Sequence, residues 1–209
     1  MYASKVWAWI LSALIGYMFG SISGSITVSR FFYKDDIRNY GSGNAGTTNM
    51  LRTYGFKKAA MTIIIDFAKT LAAVAVGRLL LGDFAIVACG VGVTIGHAYP
   101  IYYNFKGGKA AACSAACMLA LDWRIFLLEA VVFFGFAFST RIVSISTIIV
   151  ALSFPFVTWF FYRGVMGTAL GTAYMFFAVY VCIFIIYLHR SNIKRLMNGT
   201  ESRFGKKGK

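Results

Sequence analysis

Long apolar stretches with few charges between them most constrain what this chain can fold into. A transmembrane helix needs about 20 mostly apolar residues, because a charged side chain at the bilayer centre costs about 2.5 to 3.5 kcal/mol on insertion scales. The gaps between charges mark seven such stretches: 6–28, 59–77, 84–103, 110–121, 125–140, 142–162 and 165–188. The stretches 110–121 and 125–140 are short for a straight crossing. The sequence therefore predicts an all-α integral membrane protein with about seven transmembrane helices, some of them short, and five full spans are the alternative.

The composition supports a membrane protein and argues against a nucleic-acid-binding one. Hydrophobic residues make up 59% of the 209 residues and charged residues only 13%, yet the net charge is +14. In a soluble protein such an excess would suggest nucleic acid or an acidic partner, but the apolar content disfavours that interpretation here. No C-x-x-C pair occurs, so we expect neither a disulfide framework nor a metal site. The cysteines all lie in apolar stretches: Cys89, Cys113, Cys117 and Cys182.

The distribution of Lys and Arg predicts the orientation in the membrane. The polar segment 30–58 is strongly basic, and the positive-inside rule therefore assigns it to the cytoplasm. If the seven stretches then alternate, 16 of the 21 basic residues lie inside, four lie outside and Lys69 lies within a stretch. The N-terminus is expected outside and the C-terminus in the cytoplasm. We expect one membrane domain over 1–204 and a disordered basic tail over 205–209.

The first polar motif is GSGNAGTTN, from Gly41 to Asn49. Glycines among Ser, Asn and Thr allow consecutive N–H groups to converge on an anion. The spacing also fits G-x-G-x-x-G, but no strand precedes it, and Thr47 stands where a Walker lysine would follow Gly46. The motif therefore predicts a phosphate-binding loop, and a flexible polar loop is the alternative.

The second motif is GHAYPIYYNFKGGKA, from Gly96 to Ala110. Lys106 and Lys109 flank Gly107 and Gly108, so two ammonium groups and two backbone amides could surround one phosphate. Lysines next to a membrane can also be simple positive-inside anchors, and a lone histidine such as His97 is more often structural than catalytic.

The third motif, HRSNIKRLMNGTESRF, runs from His189 to Phe204 after the last apolar stretch. Helical spacing would place His189, Asn192 and Arg195 on one face, whereas a basic helix lying on anionic lipid is the alternative.

Two further polar pairs occur in apolar sequence. Asp66 and Lys69 are expected to pair within the second stretch, and Arg141 and Ser144 open the sixth.

Several catalytic patterns are missing from the sequence. Neither histidine is followed by the acidic residue of an H-x-x-x-x-D dyad, and no G-x-S-x-G elbow, acidic metal cluster or Walker motif occurs. Any reaction must therefore depend mainly on phosphate binding.

These three motifs, in this order and spacing, closely resemble the bacterial acyl-phosphate:glycerol-3-phosphate acyltransferase family. The resemblance covers most of the chain from Gly20 to Phe204, including the D-F-x-K at Asp66 and the R-x-V-S at Ser144. It implies a multi-pass enzyme of the bacterial plasma membrane with its active site on the cytoplasmic face. Such an enzyme transfers a fatty acyl group from acyl phosphate to the 1-hydroxyl of glycerol 3-phosphate, forming lysophosphatidate and inorganic phosphate without any cofactor.

The resemblance and the polar motifs together define the expected site. Catalytic roles are expected for Ser42, Asn44, His97, Lys106 and Lys109. Substrate binding is expected from Gly41, Gly43, Gly46, Thr48, Asn49, Arg52, Gly107, Gly108, Ser144, His189, Asn192 and Glu201. No metal, cofactor or nucleic acid is expected, the partners are the two substrates and the lipid bilayer, and a monomer is consistent with the sequence.

The sequence departs from the family where a glycine usually follows the second motif. Ala110 stands there, which is acceptable only if its φ is negative, and Cys113 further on is expected to have no catalytic role. The rival function is an organic-phosphate transporter, but no inverted repeat is visible, and the motifs do not lie at mid-membrane in the predicted topology.

Overall fold

The computed structural model describes residues 6–204, and these residues are almost entirely helical. The segments 1–5 and 205–209, which include the predicted basic tail, lie outside the described residues. The helices in chain order are α1 Val6–Gly20, α2 Gly24–Tyr33, α3 Thr47–Tyr54, α4 Phe56–Leu81, α5 Ala85–Ala98, α6 Ala111–Leu121, α7 Trp123–Thr140, α8 Val143–Tyr162, α9 Ala169–Leu188 and α10 Arg190–Met197. They form two compact units, one ending at Leu121 and the other beginning at Asp122.

In the first unit, α1 and α5 pack closely through small residues. Each helix carries a G-x-x-x-G pattern, with Gly16 and Gly20 on α1 and Gly92 and Gly96 on α5. A Cβ at Gly16 would lie 2.8 Å from the Cα of Cys89, and one at Gly92 would lie 2.7 Å from the nitrogen of Tyr17. Between lipid-embedded helices, such glycines let the backbones approach and gain packing contacts that larger side chains would prevent.

The first apolar stretch is interrupted, although the sequence predicted one helix over 6–28. α1 ends at Gly20, and Ser23 begins α2 by accepting a hydrogen bond from the backbone N–H of Ile26. The carbonyls of Gly20 and Ile22 are left without helical partners, and the ammonium of Lys69 donates to both, at 3.0 and 2.5 Å. A buried cation from α4 therefore provides hydrogen bonds to the carbonyls that are exposed where α1 and α2 are interrupted.

In the second unit, α8 packs between α7 and α9. The short turn at Arg141 and Ile142 joins α7 to α8, and Phe154 on α8 meets Phe177 on α9 edge to face. α7 also contains a buried carboxylate, Glu129, which accepts hydrogen bonds from Ser153 on α8. The sequence treated this stretch as nearly free of charge and did not single out Glu129.

Within residues 6–204, five helical stretches are long and apolar enough to cross a membrane: Val6–Tyr33, Phe56–Tyr103, Trp123–Thr140, Val143–Val165 and Ala169–Leu188. The second of these, with 48 residues, contains both α4 and α5. α7 is long enough to span, contrary to the prediction that its segment was too short, because it begins before residue 125. α6 is the shorter apolar helix, with 11 residues. The all-α membrane class is confirmed, and the number of seven spans stays a prediction.

Candidate functional site

Asn49 organises the first motif. Its side chain is buried, and its amide nitrogen donates to the carbonyls of Ile37, Tyr40 and Asn44 while its amide oxygen accepts from the N–H of Ser42. Gly41 has a φ of +58° and lies so close to the Asn49 side chain that a Cβ there would collide with it. Asn49 therefore holds the loop in its conformation, and its side-chain oxygen and nitrogen are both hydrogen-bonded to backbone groups.

The remaining polar residues of this motif are more accessible. Ser42 and Arg52 are exposed, and Asn44 and Thr48 are half-buried. Gly46 precedes α3 and gives it no side-chain cap, and the N–H groups of Asn49 and Met50 already donate to the Gly46 carbonyl, so an anion here would meet the N–H groups of Thr47 and Thr48. The first motif thus combines a rigid loop, an uncapped helix start and exposed polar side chains.

Arg38 links the first polar loop to the second. Its guanidinium donates to Asp36 at one end, and at the other end it donates to the carbonyls of Tyr103 and Lys106, at 2.8 and 3.1 Å. The hydrogen bonds from Arg38 lower the pKa of Asp36 to about 2, so this carboxylate stays ionised. The sequence analysis did not identify Arg38 or Asp36, because the bonds that Arg38 makes are to backbone carbonyls 65 and 68 residues away.

Gly107 and Gly108 lie directly on the end of α5. The N–H of Gly107 donates to Ala98 and that of Gly108 to His97, while Ala45 in the first motif donates to the carbonyl of Gly107 at 3.4 Å. Any side chain at Gly107 would be 2.7 Å from the ring of Pro100. The prediction that these two amides surround a phosphate is therefore wrong for this conformation, because α5 already accepts both hydrogen bonds. The glycines permit close packing instead.

Backbone strain concentrates around the same loop. Among the described non-glycine residues, five have positive φ, and three of these flank the Lys-Gly-Gly-Lys segment: Asn104, Phe105 and Ala110. Strained conformations persist where the surrounding structure enforces them, which is common at functional sites. Lys106 is exposed and Lys109 half-buried at the two ends of this constrained segment.

A buried cluster of ionisable side chains lies beneath the second motif. Asp66 and Lys69 pair at 2.9 Å as predicted, and the Lys69 ammonium is 3.0 Å from Nδ1 of His97. Asp66, His97 and Cys113 could in principle hold a metal, since their ligand atoms lie within 4.8 Å of one another. Lys69 already stands next to Asp66 and His97 as the cation, and a divalent ion would be repelled by it.

In the second unit, Glu201 gathers the polar residues of the third motif. It accepts hydrogen bonds from Ser144 at 2.8 Å, from Asn192 at 2.7 Å and from Nε of Arg195 at 2.6 Å. Burial raises its pKa, but the three hydrogen bonds outweigh this effect and hold the pKa of Glu201 below its ordinary value. Asn192 and Arg195 share one face of α10, as their spacing predicted.

His189 lies at the junction of α9 and α10 and is buried. Its Nδ1 is 2.8 Å from the carbonyl of Ile185. Because a carbonyl can only accept, Nδ1 carries the hydrogen, and in the neutral ring Nε2 is then the acceptor. This tautomer suits a histidine that accepts a hydrogen bond from a hydroxyl group.

Comparisons with known proteins cover nearly the whole chain. A family model described as glycerol-3-phosphate acyltransferase matches residues 10–199. A relative of that name from Finegoldia magna is 38% identical over 202 residues, which cover 94% of this chain and 96% of the relative. Another from Rhodopseudomonas palustris is 36% identical over 199 residues, with 95% and 97% covered.

Solved structures agree with these sequence matches. The chain is similar to crystal structures of PlsY (YgiH), an integral membrane glycerol 3-phosphate acyltransferase. In the glycerol 3-phosphate form the TM-score is 0.83 with 29% identity, and the match covers 94% of this chain and 96% of that one. In the lysophosphatidic acid form the TM-score is 0.81 with 28% identity, and 94% and 95% are covered.

Proposed function

The chain belongs to the glycerol-3-phosphate acyltransferase family, and we propose that it takes its acyl group from an acyl phosphate. The acceptor is the 1-hydroxyl of sn-glycerol 3-phosphate, and the products are lysophosphatidate and inorganic phosphate. One observation carries the proposal of a phosphate-based mechanism. The two basic, glycine-containing loops are joined, because Ala45 bonds to Gly107 and Arg38 bonds to the carbonyl of Lys106.

The proposed chemistry needs no protein base of high strength. An acyl phosphate is an activated mixed anhydride, so the hydroxyl oxygen of the acceptor attacks the carbonyl carbon and the bond from that carbon to the phosphate oxygen breaks. The departing phosphate accepts the hydroxyl proton, so no protein side chain has to act as the base. The lysine ammonium groups would stabilise the negative charge on that phosphate, and one well-placed donor of this kind contributes on the order of 3 to 4 kcal/mol.

We assign the donor phosphate to Lys106 and Lys109 together with Ser42 and Asn44. The uncapped start of α3, with Gly46, Thr48 and Arg52, contributes further anion contacts, and Gly41, Gly43 and Asn49 shape the loop. Because their amides bond to α5, Gly107 and Gly108 hold the lysines in place.

The acceptor side is assigned to Ser144, His189 and Asn192. Glu201 accepts hydrogen bonds from Ser144 and Asn192, so its role is to orient these two side chains. Because Nδ1 of His189 donates to the carbonyl of Ile185, Nε2 of the neutral ring is an acceptor, and it is suited to receive a hydrogen bond from the substrate hydroxyl.

The finer topology is part of the same proposal. The protein is placed in the bacterial inner membrane as a single multi-pass domain over 1–204, with the N-terminus outside and the C-terminus and active site at the cytoplasmic face. The basic asymmetry of the loops supports this orientation. A monomer that works without a cofactor is part of the same proposal.

The choice of acyl donor tests the proposed function. Purified protein in lipid nanodiscs is given glycerol 3-phosphate with either acyl phosphate or acyl-CoA, and lysophosphatidate and free phosphate are measured. We expect one phosphate released per lysophosphatidate formed with acyl phosphate, and no product with acyl-CoA. Equal rates with both donors would contradict the mechanism. Accumulation of glycerol 3-phosphate inside proteoliposomes without acylation would instead support the transporter.

A further inference from the structure

The buried ammonium of Lys69 has no donor left for a substrate. Four oxygen and nitrogen acceptors lie within 3.0 Å of it, namely Oδ1 of Asp66, Nδ1 of His97 and the carbonyls of Gly20 and Ile22, and the Cys113 side chain also bonds to it. An ammonium group carries only three hydrogens, so these contacts saturate it. Lys69 is 5% exposed and Asp66 is 1% exposed, so both side chains lie inside the protein.

Lys69 fixes the tautomer of His97. The ammonium can only donate, so in its hydrogen bond with the ring Nδ1 is the acceptor, and the hydrogen of the neutral ring is then on Nε2. Oδ1 of Asp66 is 3.6 Å from the same Nδ1, too far for a hydrogen bond, which agrees with an Nδ1 that carries no hydrogen. Asp66 instead accepts from Lys69 and from the N–H of Gly24 at the start of α2.

The other edge of the His97 ring contacts the second motif. A Cβ at Gly108 would collide with Nε2 of His97 and would stand 2.6 Å from the carbonyl of Ala45. The backbone carbonyl of His97 also accepts the hydrogen bond from Gly108 at 3.0 Å. The ring and the main chain of one residue therefore hold Gly108, which lies between Lys106 and Lys109, against the first motif.

We propose that Asp66, Lys69 and His97 form a buried positioning network that sets the geometry of the Lys-Gly-Gly-Lys segment without touching either substrate. His97 is thus a positioning residue, in place of the direct catalytic role that the sequence suggested. The proposal rests on the function proposed above, since it assumes that the two flanking lysines bind phosphate. The cation of the network is Lys69, and it makes a metal ion at Asp66, His97 and Cys113 unnecessary.

The tautomer can be measured without any substrate. The chain has two histidines, and the structure gives them opposite tautomers. A ¹⁵N spectrum of histidine-labelled protein at neutral pH should show one ring protonated on Nε2 and one on Nδ1, with the first signal lost in His97→Asn. In Lys69→Met, the His97 signal should move away from the Nε2–H form. A His97 ring that is protonated on Nδ1, or on both nitrogens, in the unmodified protein would overturn the proposal.

Activity then separates positioning from stability and from direct catalysis. In Asp66→Asn/Lys69→Met the charges are balanced, so we expect a folded protein with kcat/KM reduced about tenfold to a hundredfold. The matched control is Thr70→Val, a buried neighbour whose hydroxyl donates to the carbonyl of Asp66, and it should stay within about twofold of the parent. Full activity of the double variant would leave the network with a purely structural role and contradict the proposal.

The pH dependence tests whether His97 acts on substrate itself. If it only positions the loop, His97→Asn should lower kcat/KM without changing the shape of the pH profile, and adding Lys69→Met should lower it little further, because both act through one chain of contacts. Disappearance of a limb of the profile in His97→Asn, with Lys69→Met fully active, would identify His97 as a general acid or base and overturn the proposal. If the unmodified protein does not use acyl phosphate as a donor, the proposed function is contradicted. The ¹⁵N spectra would still test the network of Asp66, Lys69 and His97, because they need no substrate.

Discussion

Ala110 has a φ of +57° just before α6, in the region that favours glycine, and its side chain is fully buried. The sequence analysis accepted alanine at this position on the condition of a negative φ, and the structure contradicts that condition. An L-residue pays about 1 to 2 kcal/mol in the left-handed region, which the packing of the loop must offset. One methyl group thus stores strain immediately next to Lys109.

Ala110→Gly is expected to stabilise the protein. Removing the Cβ relieves the left-handed penalty, while the greater chain entropy of glycine offsets part of the gain, so a net effect of about 0.5 to 1 kcal/mol is expected. That corresponds to a rise of roughly 1 to 4 °C in Tm for a chain of this size, measured by a thermal shift in detergent. The matched control is Ala111→Gly in the first turn of α6, where the same change should lower Tm. A comparable fall in both variants would contradict the assignment of strain to Ala110.

At the scale of the elements, single polar side chains join helices that are far apart in sequence. Glu201 connects Ser144 at the start of α8 with Asn192 and Arg195 on α10. Arg38 connects the loop after α2 with the loop after α5, and Lys69 connects α4 with the break between α1 and α2. Each of these charges is compensated by several hydrogen bonds, which is the condition for burying it at acceptable cost.

The Glu201 cluster predicts a loss of stability in acid. Because its folded pKa is below the unfolded value, Glu201 stabilises the fold fully above about pH 4.3, and the contribution is lost as the pH falls through the folded pKa. Glu201→Gln cannot accept from Arg195 in the same way and should lower the free energy of unfolding at pH 7 by roughly 1 to 3 kcal/mol. The difference in Tm between the parent and this variant should shrink from pH 7 to pH 3.5. A difference that is constant over this range would show that the charge of Glu201 is not responsible.

For the whole molecule, the orientation in the membrane follows from charge and awaits a direct test. Asn39 is exposed in the basic loop that we assign to the cytoplasm, and Gly164 is exposed, with open space around it, in the turn that we assign to the outside. In intact spheroplasts, a membrane-impermeant thiol reagent should label Gly164→Cys and not Asn39→Cys.

The parent protein is the control for this labelling, since three of its four cysteines are buried and one is half-buried. Opening the membrane should make Asn39→Cys reactive. Labelling of Asn39→Cys in intact cells would show that the N-terminal half is inverted relative to the prediction.

The sequence by itself determined the membrane class, the three polar motifs and the family, because these depend on local composition and on residue order. Apolar runs must be helical in lipid, where every backbone polar group needs an internal partner. The pairing of Asp66 with Lys69 was also predictable, since i and i+3 side chains share a helix face.

Only the tertiary structure decided what the polar groups of the three motifs contact. The amides of Gly107 and Gly108 looked available in sequence, but they bond to α5, and His97 looked catalytic, but its ring lies between Lys69 and Gly108. Arg38 was not identified because its guanidinium bonds to the carbonyl of Tyr103, 65 residues away. The first helix was predicted too long because its end at Gly20 is stabilised by the ammonium of Lys69, 49 residues away. Long-range hydrogen bonds of this kind are made to backbone groups, which all residues have, so no sequence pattern predicts them.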